Sequence, residues 1–306
     1  LIGGICLGAT CPGQMTALAR KKSSHWSFQP VKKPRPPRVP QGLGPALNPI
    51  DAFLAAGHEK RGLVPLAPAA KHVLLRRVYL DLVGLPPTPQ RLQAFLADSA
   101  PDAYAKVVRN LLDRPQYGER WGRHWMDAAG YVDVRLFDGD AATIYFNEGM
   151  WRYRDYCISA HNLDMPWDQF VTEQLAGDEL VAWDKLKRWT PEVQQKLIAT
   201  GFLRNVEDPT SEAQYGVKER YDVLFDVMKT VSSSLLGLTL ECARCHSHKY
   251  DPIPQRDFYR FMACFEPAIN DHDWRKPQER FLNSVSAAEK VEVDAHNKSV
   301  DSRVQV

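Results

Sequence analysis

Cys242-Ala243-Arg244-Cys245-His246 is the string in this chain whose residue types and spacing carry chemistry. Two thiols three positions apart can reach the two vinyl groups along one edge of a porphyrin and form thioethers. The histidine that follows can then place its imidazole under the iron. With 6 Cys and 9 His in 306 residues, chance supplies roughly 0.003 such strings, so accident is a poor explanation. The expected cofactor is haem c, held by Cys242 and Cys245 with His246 as proximal iron ligand. A zinc site, Cys242 and Cys245 with His246 or His248, or a redox dithiol would use the same cysteines.

A second axial ligand would separate electron carriage from ligand or peroxide chemistry. The candidates are His124, Met126, Met228, His248 and Met262. His248 lies too close to His246 in sequence to reach the opposite face easily. Met228 and Met262 fall in helical patterns and are expected in the core. His124 is the tentative distal ligand. Helical spacing puts Arg120, His124 and Asp127 on one face, where they could orient an imidazole or form a plain hydrogen-bond network. Trp151–Asp155 and Glu173–Asp178 share this charged and aromatic texture, and are expected to be surface ion pairs and caps. Spacing alone singles out no Ser-His-Asp set and no catalytic carboxylate pair.

What positions these residues is expected to be helical. Apolar residues make up 44% and charged residues 25%, with a net charge of +2. This is an ordinary globular balance, and it gives no argument for nucleic acid as a partner. Residues 1–19 are apolar and Gly-rich and end in Ala17-Leu18-Ala19 before Arg20-Lys21-Lys22, the pattern of a signal-peptide remnant. They are too short and too glycine-rich for a transmembrane helix, and no later run is long enough to span a bilayer. Residues 20–47 form a basic, Pro-rich extended arm. Its start is expected to be pinned by Trp26 and Phe28.

Helical signals begin at Asn48-Pro49 and recur over 50–60, 71–83, 89–96, 102–112, 115–129, 150–160, 167–175, 191–200, 216–236 and 254–265. The 102–112 segment should present Tyr104, Val107, Val108, Leu111 and Leu112 on one face. Residues 131–149 lose this period and read as a long loop or a small hairpin. Cys157 and Cys264 lie in helical stretches and are expected to be buried small hydrophobes rather than a disulfide. Ser286-Ala287-Ala288-Glu289 is a capping box opening a terminal helix. That helix has no stop signal, so a longer chain is expected. The expected class is mostly α: an irregular helical domain over 48–266 with long loops, then 267–306 as linker and start of a further region.

Five ordered blocks resemble a planctomycete cytochrome-c-like domain family without established activity. They are Arg76–Pro89 (RRVYLDLVGLPPTP), Tyr117–Asp127, Asp164–Asp178, Ala199–Asn205 and Cys242–Ile253. Ser247 stands where that family's pattern has Asp. The resemblance implies an exported, periplasmic or cell-surface domain bearing haem c. It also implies a second carboxy-terminal domain, missing here, and an unidentified redox partner protein. The expected function is monohaem electron transfer. The alternatives are a haem enzyme with an open distal side, acting on peroxide or an organic substrate, and a zinc-bound structural or carbohydrate-surface module.

Overall fold

A computed structural model describes residues 26–39, 48–137, 140–146, 149–210, 216–270, 272–280 and 282–304. Cys6, Cys11 and the leader-like residues 1–19 lie outside them. The chain divides into two compact units, Leu1–Leu74 with Tyr250–Pro252, and Leu75–Lys249 with Ile253–Val306. The architecture is mostly α. No helix among the described residues is long and apolar enough to cross a membrane.

In the first unit, Trp26–Phe28 forms one 3₁₀ turn, and Val31–Val39 follows without regular structure and largely exposed. Trp26 is 80% exposed, so it does not pin the arm by burial. Helix α1 (Pro49–Arg61) begins at Asn48, whose side chain accepts the Asp51 N–H while Asp51 accepts the Asn48 N–H. This reciprocal box satisfies two orphan donors. Gly62, left-handed at φ 63°, closes the helix.

Helix α2 (Lys71–Leu82) leads into the second unit, followed by α3 (Pro89–Ala97, capped by Thr88) and α4 (Ala103–Leu112). These three helices share a core of Leu75, Val78, Tyr79, Val83, Phe95, Ala103 and Leu111. The buried face of α4 differs from the expected one. Ala103 and Leu111 are inside and Val107 and Val108 partly so, while Tyr104 and Leu112 are exposed. The stripe runs from Ala103 through Val107 to Leu111, and its first residue is too small to announce itself in a hydrophobic pattern.

The larger core lies around α5 (Pro115–Ala128), α6 (Met150–Asn162), α7 (Trp167–Ala176), α8 (Pro191–Ala199) and α9 (Val217–Val231). Trp125 sits at its centre, with Phe170 and Phe202 at ring-centroid distances of 5.2 and 5.4 Å. Helices α5 and α6 approach closely because α5 turns Gly118 and Gly122 toward α6, where a Cβ at Gly118 would stand 2.3 Å from the Ile158 carbonyl oxygen. Asn162 completes this contact. Its side chain accepts the Gly118 N–H at 2.8 Å and donates to the Pro115 carbonyl at 3.2 Å. It thereby satisfies a first-turn N–H of α5 from another helix.

Residues 131–149 include a small antiparallel hairpin, β1 (Val134–Phe137) and β2 (Asp140–Phe146), pairing Val134 with Phe146 and irregular next to Phe137. Helix α10 (Gln255–Ile269) packs on α9. The terminal α11 (Ala287–Val304) starts at the expected capping box, with the Ser286 hydroxyl accepting the Glu289 N–H and Glu289 accepting the Ser286 and Trp189 N–H groups.

Candidate functional site

The motif follows directly from α9. That helix ends in a π-helical turn, Ser232–Leu236, closed by Gly237 in the left-handed region at φ 62°. The chain then makes a 3₁₀ turn over Glu241–Arg244, with Cys245 as its carboxy-terminal cap. Side chains three apart eclipse in such a turn, so Cys242 and Cys245 are set on one side. Both are exposed and neither is bridged. Ala243, between them, is completely buried against Met228, Leu240 and Phe258. The turn therefore has an apolar underside and two thiols outside.

Both ends of the turn are tied down. Glu241 meets Lys229 of α9 at 3.1 Å. Arg244 lies over the Phe225 ring, 3.8 Å from its centroid, and reaches Asp222 at 3.3 Å. Its backbone carbonyl accepts from Gln255 Nε2 and from the Tyr259 hydroxyl, each at 3.0 Å. Lys218, with Arg244 behind it, holds the Asp222 carboxyl below its ordinary range. These contacts are present above that range and weaken as acid protonates the carboxylate. Burial acts oppositely on Asp226, one turn on, and raises its carboxyl despite Lys229.

His246 is exposed, with Nδ1 2.8 Å from the Ser247 carbonyl oxygen. A carbonyl can only accept, so in the neutral ring Nδ1 carries the proton and Nε2 keeps its lone pair. A ligating histidine is commonly oriented in this way. Ser247 itself accepts the Gln255 N–H at 3.4 Å, a capping contact at the start of α10. The His248 N–H bonds the Ile253 carbonyl at 2.8 Å. Two outward thiols and an imidazole with its outer nitrogen available are the donor set that haem c needs. The residues present fit that group. Among the described residues, no three His, Cys, Asp or Glu side chains are grouped to hold a metal ion.

Four of the other candidate ligands lie on helices α5, α9 and α10. His124 is exposed on α5, its ring edge against Trp121 at 5.4 Å. Its expected partners are rearranged, because Asp127 pairs with Arg123 at 2.7 Å rather than with Arg120. Met126 and Met228 are core residues, and Met262 packs half-buried between two clusters. Of the two helix cysteines, Cys157 is fully buried and Cys264 is exposed, both as free thiols. The burial expected for Cys264 does not occur, because that side chain lies on the outer face of α10.

Burial pushes the Cys157 thiol up to about 12. Thiolate is the reactive form, so Cys157 is expected to resist iodoacetamide at pH 8 while Cys242, Cys245 and Cys264 react in haem-free protein. Peptide mass mapping before and after unfolding checks this. Alkylated Cys157 in the native protein would contradict the packing.

The structure also holds a buried polar cluster at positions whose sequence pattern predicts surface ion pairs and caps. Glu173 and Gln174 are 3% and 1% exposed. Tyr156 donates to Glu173 Oε2 and Gln169 to Glu173 Oε1, each at 2.9 Å. Tyr153 donates to Gln174 Oε1 at 2.5 Å, which also accepts from Trp125 Nε1 at 3.1 Å. Burial, reinforced by Glu173, holds the Tyr156 phenol above its ordinary range, so it acts as a donor. The signal lay in spacing: Tyr153, Tyr156, Cys157 and Ala160 mark the buried stripe of α6, and Glu173 follows the buried Phe170 by three on α7. Tyr156→Phe should cost about 1–3 kcal/mol in urea unfolding by leaving the carboxylate short of a donor. A loss below a few tenths of that would mean the bond contributes nothing.

No curated protein and no solved structure matches this chain. Residues 49–269 do match a family model, running from the first residue of α1 to the last of α10 and including both the motif and the buried cluster. By that match the chain belongs to the PSCyt2 family, proteins of unknown function (DUF1549).

Proposed function

We propose that this chain is an exported, cytochrome-c-like domain that carries one covalent haem c and passes electrons through it. The observation that carries this reading is the surface turn at 241–246. Its two cysteines stand free and exposed on a buried alanine, and the histidine beside them has its inner nitrogen committed to a carbonyl. When bound, the haem would supply an iron that changes oxidation state by one electron.

Cys242 and Cys245 would hold it by thioethers, and His246 would face the iron with Nε2. The Nδ1–H bond to the Ser247 carbonyl keeps that ring in one orientation and raises its basicity. Gln255 and Tyr259 hold the Arg244 carbonyl, so the segment joining thiols and imidazole is fixed from its far side. Ala243, Leu240 and Phe258 keep water out from beneath. His124, exposed on α5, is the residue proposed for the second axial position. The Ala17-Leu18-Ala19 pattern supports export, and a redox partner protein would receive or supply the electron.

The test is a pyridine haemochrome spectrum with haem staining, on protein made in a host that exports and matures c-type cytochromes. Covalent haem with a low-spin spectrum indifferent to added ligands is the expected result. A high-spin spectrum that binds cyanide would replace electron transfer with chemistry at an open iron. Colourless protein beside a matured control cytochrome would overturn the proposal, and stoichiometric zinc in it would point to a structural module.

A further inference from the structure

Charge is divided unevenly along this chain. Seven Lys and Arg and no Asp or Glu precede Asp51, which leaves 32 basic against 37 acidic residues from there on. A basic arm is thus followed by an acidic remainder, an asymmetry that suits an anionic partner. Four of the seven cations, Lys32, Lys33, Arg35 and Arg38, lie among the described residues, and all four are exposed. None of them makes an ion pair with a carboxylate of the described residues. Proline fixes the backbone beneath them. Lys33, Arg35, Pro36 and Val39 each precede a proline, which holds the chain extended. At three residues and about 9 Å per turn, Lys32, Arg35 and Arg38 share one edge. The arm is extended before it binds, so little entropy is lost when it meets a charged surface.

Helix α1, in the same compact unit, reverses the usual placement of apolar residues. Its buried residues are two alanines, Ala52 and Ala55, whereas Ile50, Phe53 and Leu54 are 68%, 43% and 55% exposed. These three are neighbours by helical spacing and form one outward apolar stripe. Such a helix is suited to lie in the plane of a bilayer surface, with its apolar side at the boundary between headgroups and acyl chains. A soluble polyanion would satisfy the cations and leave the stripe in water.

We infer that the unit containing the arm and α1 docks on the surface of an anionic phospholipid bilayer, with the four cations at the headgroups and Ile50, Phe53 and Leu54 at the acyl boundary. A bilayer is continuous, so arm and helix each meet it without needing to touch one another. The docking uses none of Cys242–His246 and is independent of haem.

The probe is sucrose-loaded vesicles of phosphatidylcholine mixed with phosphatidylglycerol, sedimented with the full chain. Half of the protein is expected to sediment at about 0.1 mM lipid, the strength of a single acyl anchor. Salt at about 1 M should weaken the binding, because the Debye length falls to about 3 Å. Lys32→Gln, Lys33→Gln, Arg35→Gln and Arg38→Gln together should weaken it about a hundredfold or more, at about fivefold per cation. Ile50→Ser with Leu54→Ser should weaken it about tenfold. All six side chains are exposed, so the unfolding midpoints of both variants should stay at the wild-type value. Equal sedimentation with pure phosphatidylcholine would overturn the role of the cations. Vesicle binding that the serine pair leaves unchanged would overturn the bilayer in favour of a soluble polyanion, with heparin as the comparator. No sedimentation at about ten times the expected lipid would overturn the docking surface.

Discussion

Alanine at both Cys242 and Cys245 is expected to abolish covalent haem. After denaturing electrophoresis the haem-stained band should be absent, and acid–acetone should extract whatever haem remains. In the proposed attachment each cysteine would account for one thioether, so a single substitution should leave a weaker band and a shifted haemochrome maximum. The effect should be local. Both side chains are exposed and unbridged, and the residue that packs, Ala243, stays in place. Unfolding midpoints of the haem-free forms should therefore differ little from wild type. His246→Ala should keep the covalent band and change the iron spectrum. A double variant that retained stained haem would put the attachment elsewhere, and an unchanged spectrum in His246→Ala would remove that imidazole as proximal ligand.

The largest effect on stability is expected from Gly118→Ala. The new methyl would lie 2.3 Å from the Ile158 carbonyl oxygen and 2.6 Å from the Asn162 side chain. The first of these is backbone inside a helix and cannot swing away. Either α5 lifts from α6, opening the core around Trp125, or Asn162 gives up the bonds that cap α5. Overpacking of this kind costs about 1–3 kcal/mol or more, and loss of the cap adds about 1 kcal/mol. Gly122→Ala, one turn on, is the control. There the nearest atom is 3.4 Å away, an ordinary contact, and the alanine favours helix by up to about 1 kcal/mol. Chemical denaturation of both variants should show one strongly destabilised and one close to wild type. Similar midpoints would mean the helices do not approach as described.

The helices were legible because their ends are written in local chemistry. Asn48-Pro49, Thr88-Pro89 and Ser286 through Glu289 each mark a start that the structure makes with the expected side-chain bonds. The motif was legible for the same reason, since five adjacent residues carry it. Contacts between helices were not. Gly118 reads as a helix-weakening residue until Ile158 is seen against it. Glu173 and Gln174 read as solvent-facing side chains until the tyrosines of α6 arrive opposite them. Arg123, four residues before Asp127, meets it, whereas Arg120 stands two turns away. For Cys264, the turn of α10 about its own axis decides exposure, and a short apolar pattern defines that turn poorly.

The seat of the motif also sets an order of events. Ala243 is buried by Phe258, with Phe261, Met262 and Phe265 packed around the same cluster, and all of these come from α10, downstream of the cysteines. The two ties on the Arg244 carbonyl, Gln255 and Tyr259, come from that helix as well. Until α10 docks, the turn lacks the Phe258 part of its floor and the Gln255 and Tyr259 ties, and is held only by its contacts with α9 and Leu240. Under the proposed function, haem attachment to Cys242 and Cys245 would be easier before α10 docks, and docking would then complete the seat. The proposed attachment would in this way be timed by the distance along the chain between the thiols and the helix that completes their seat.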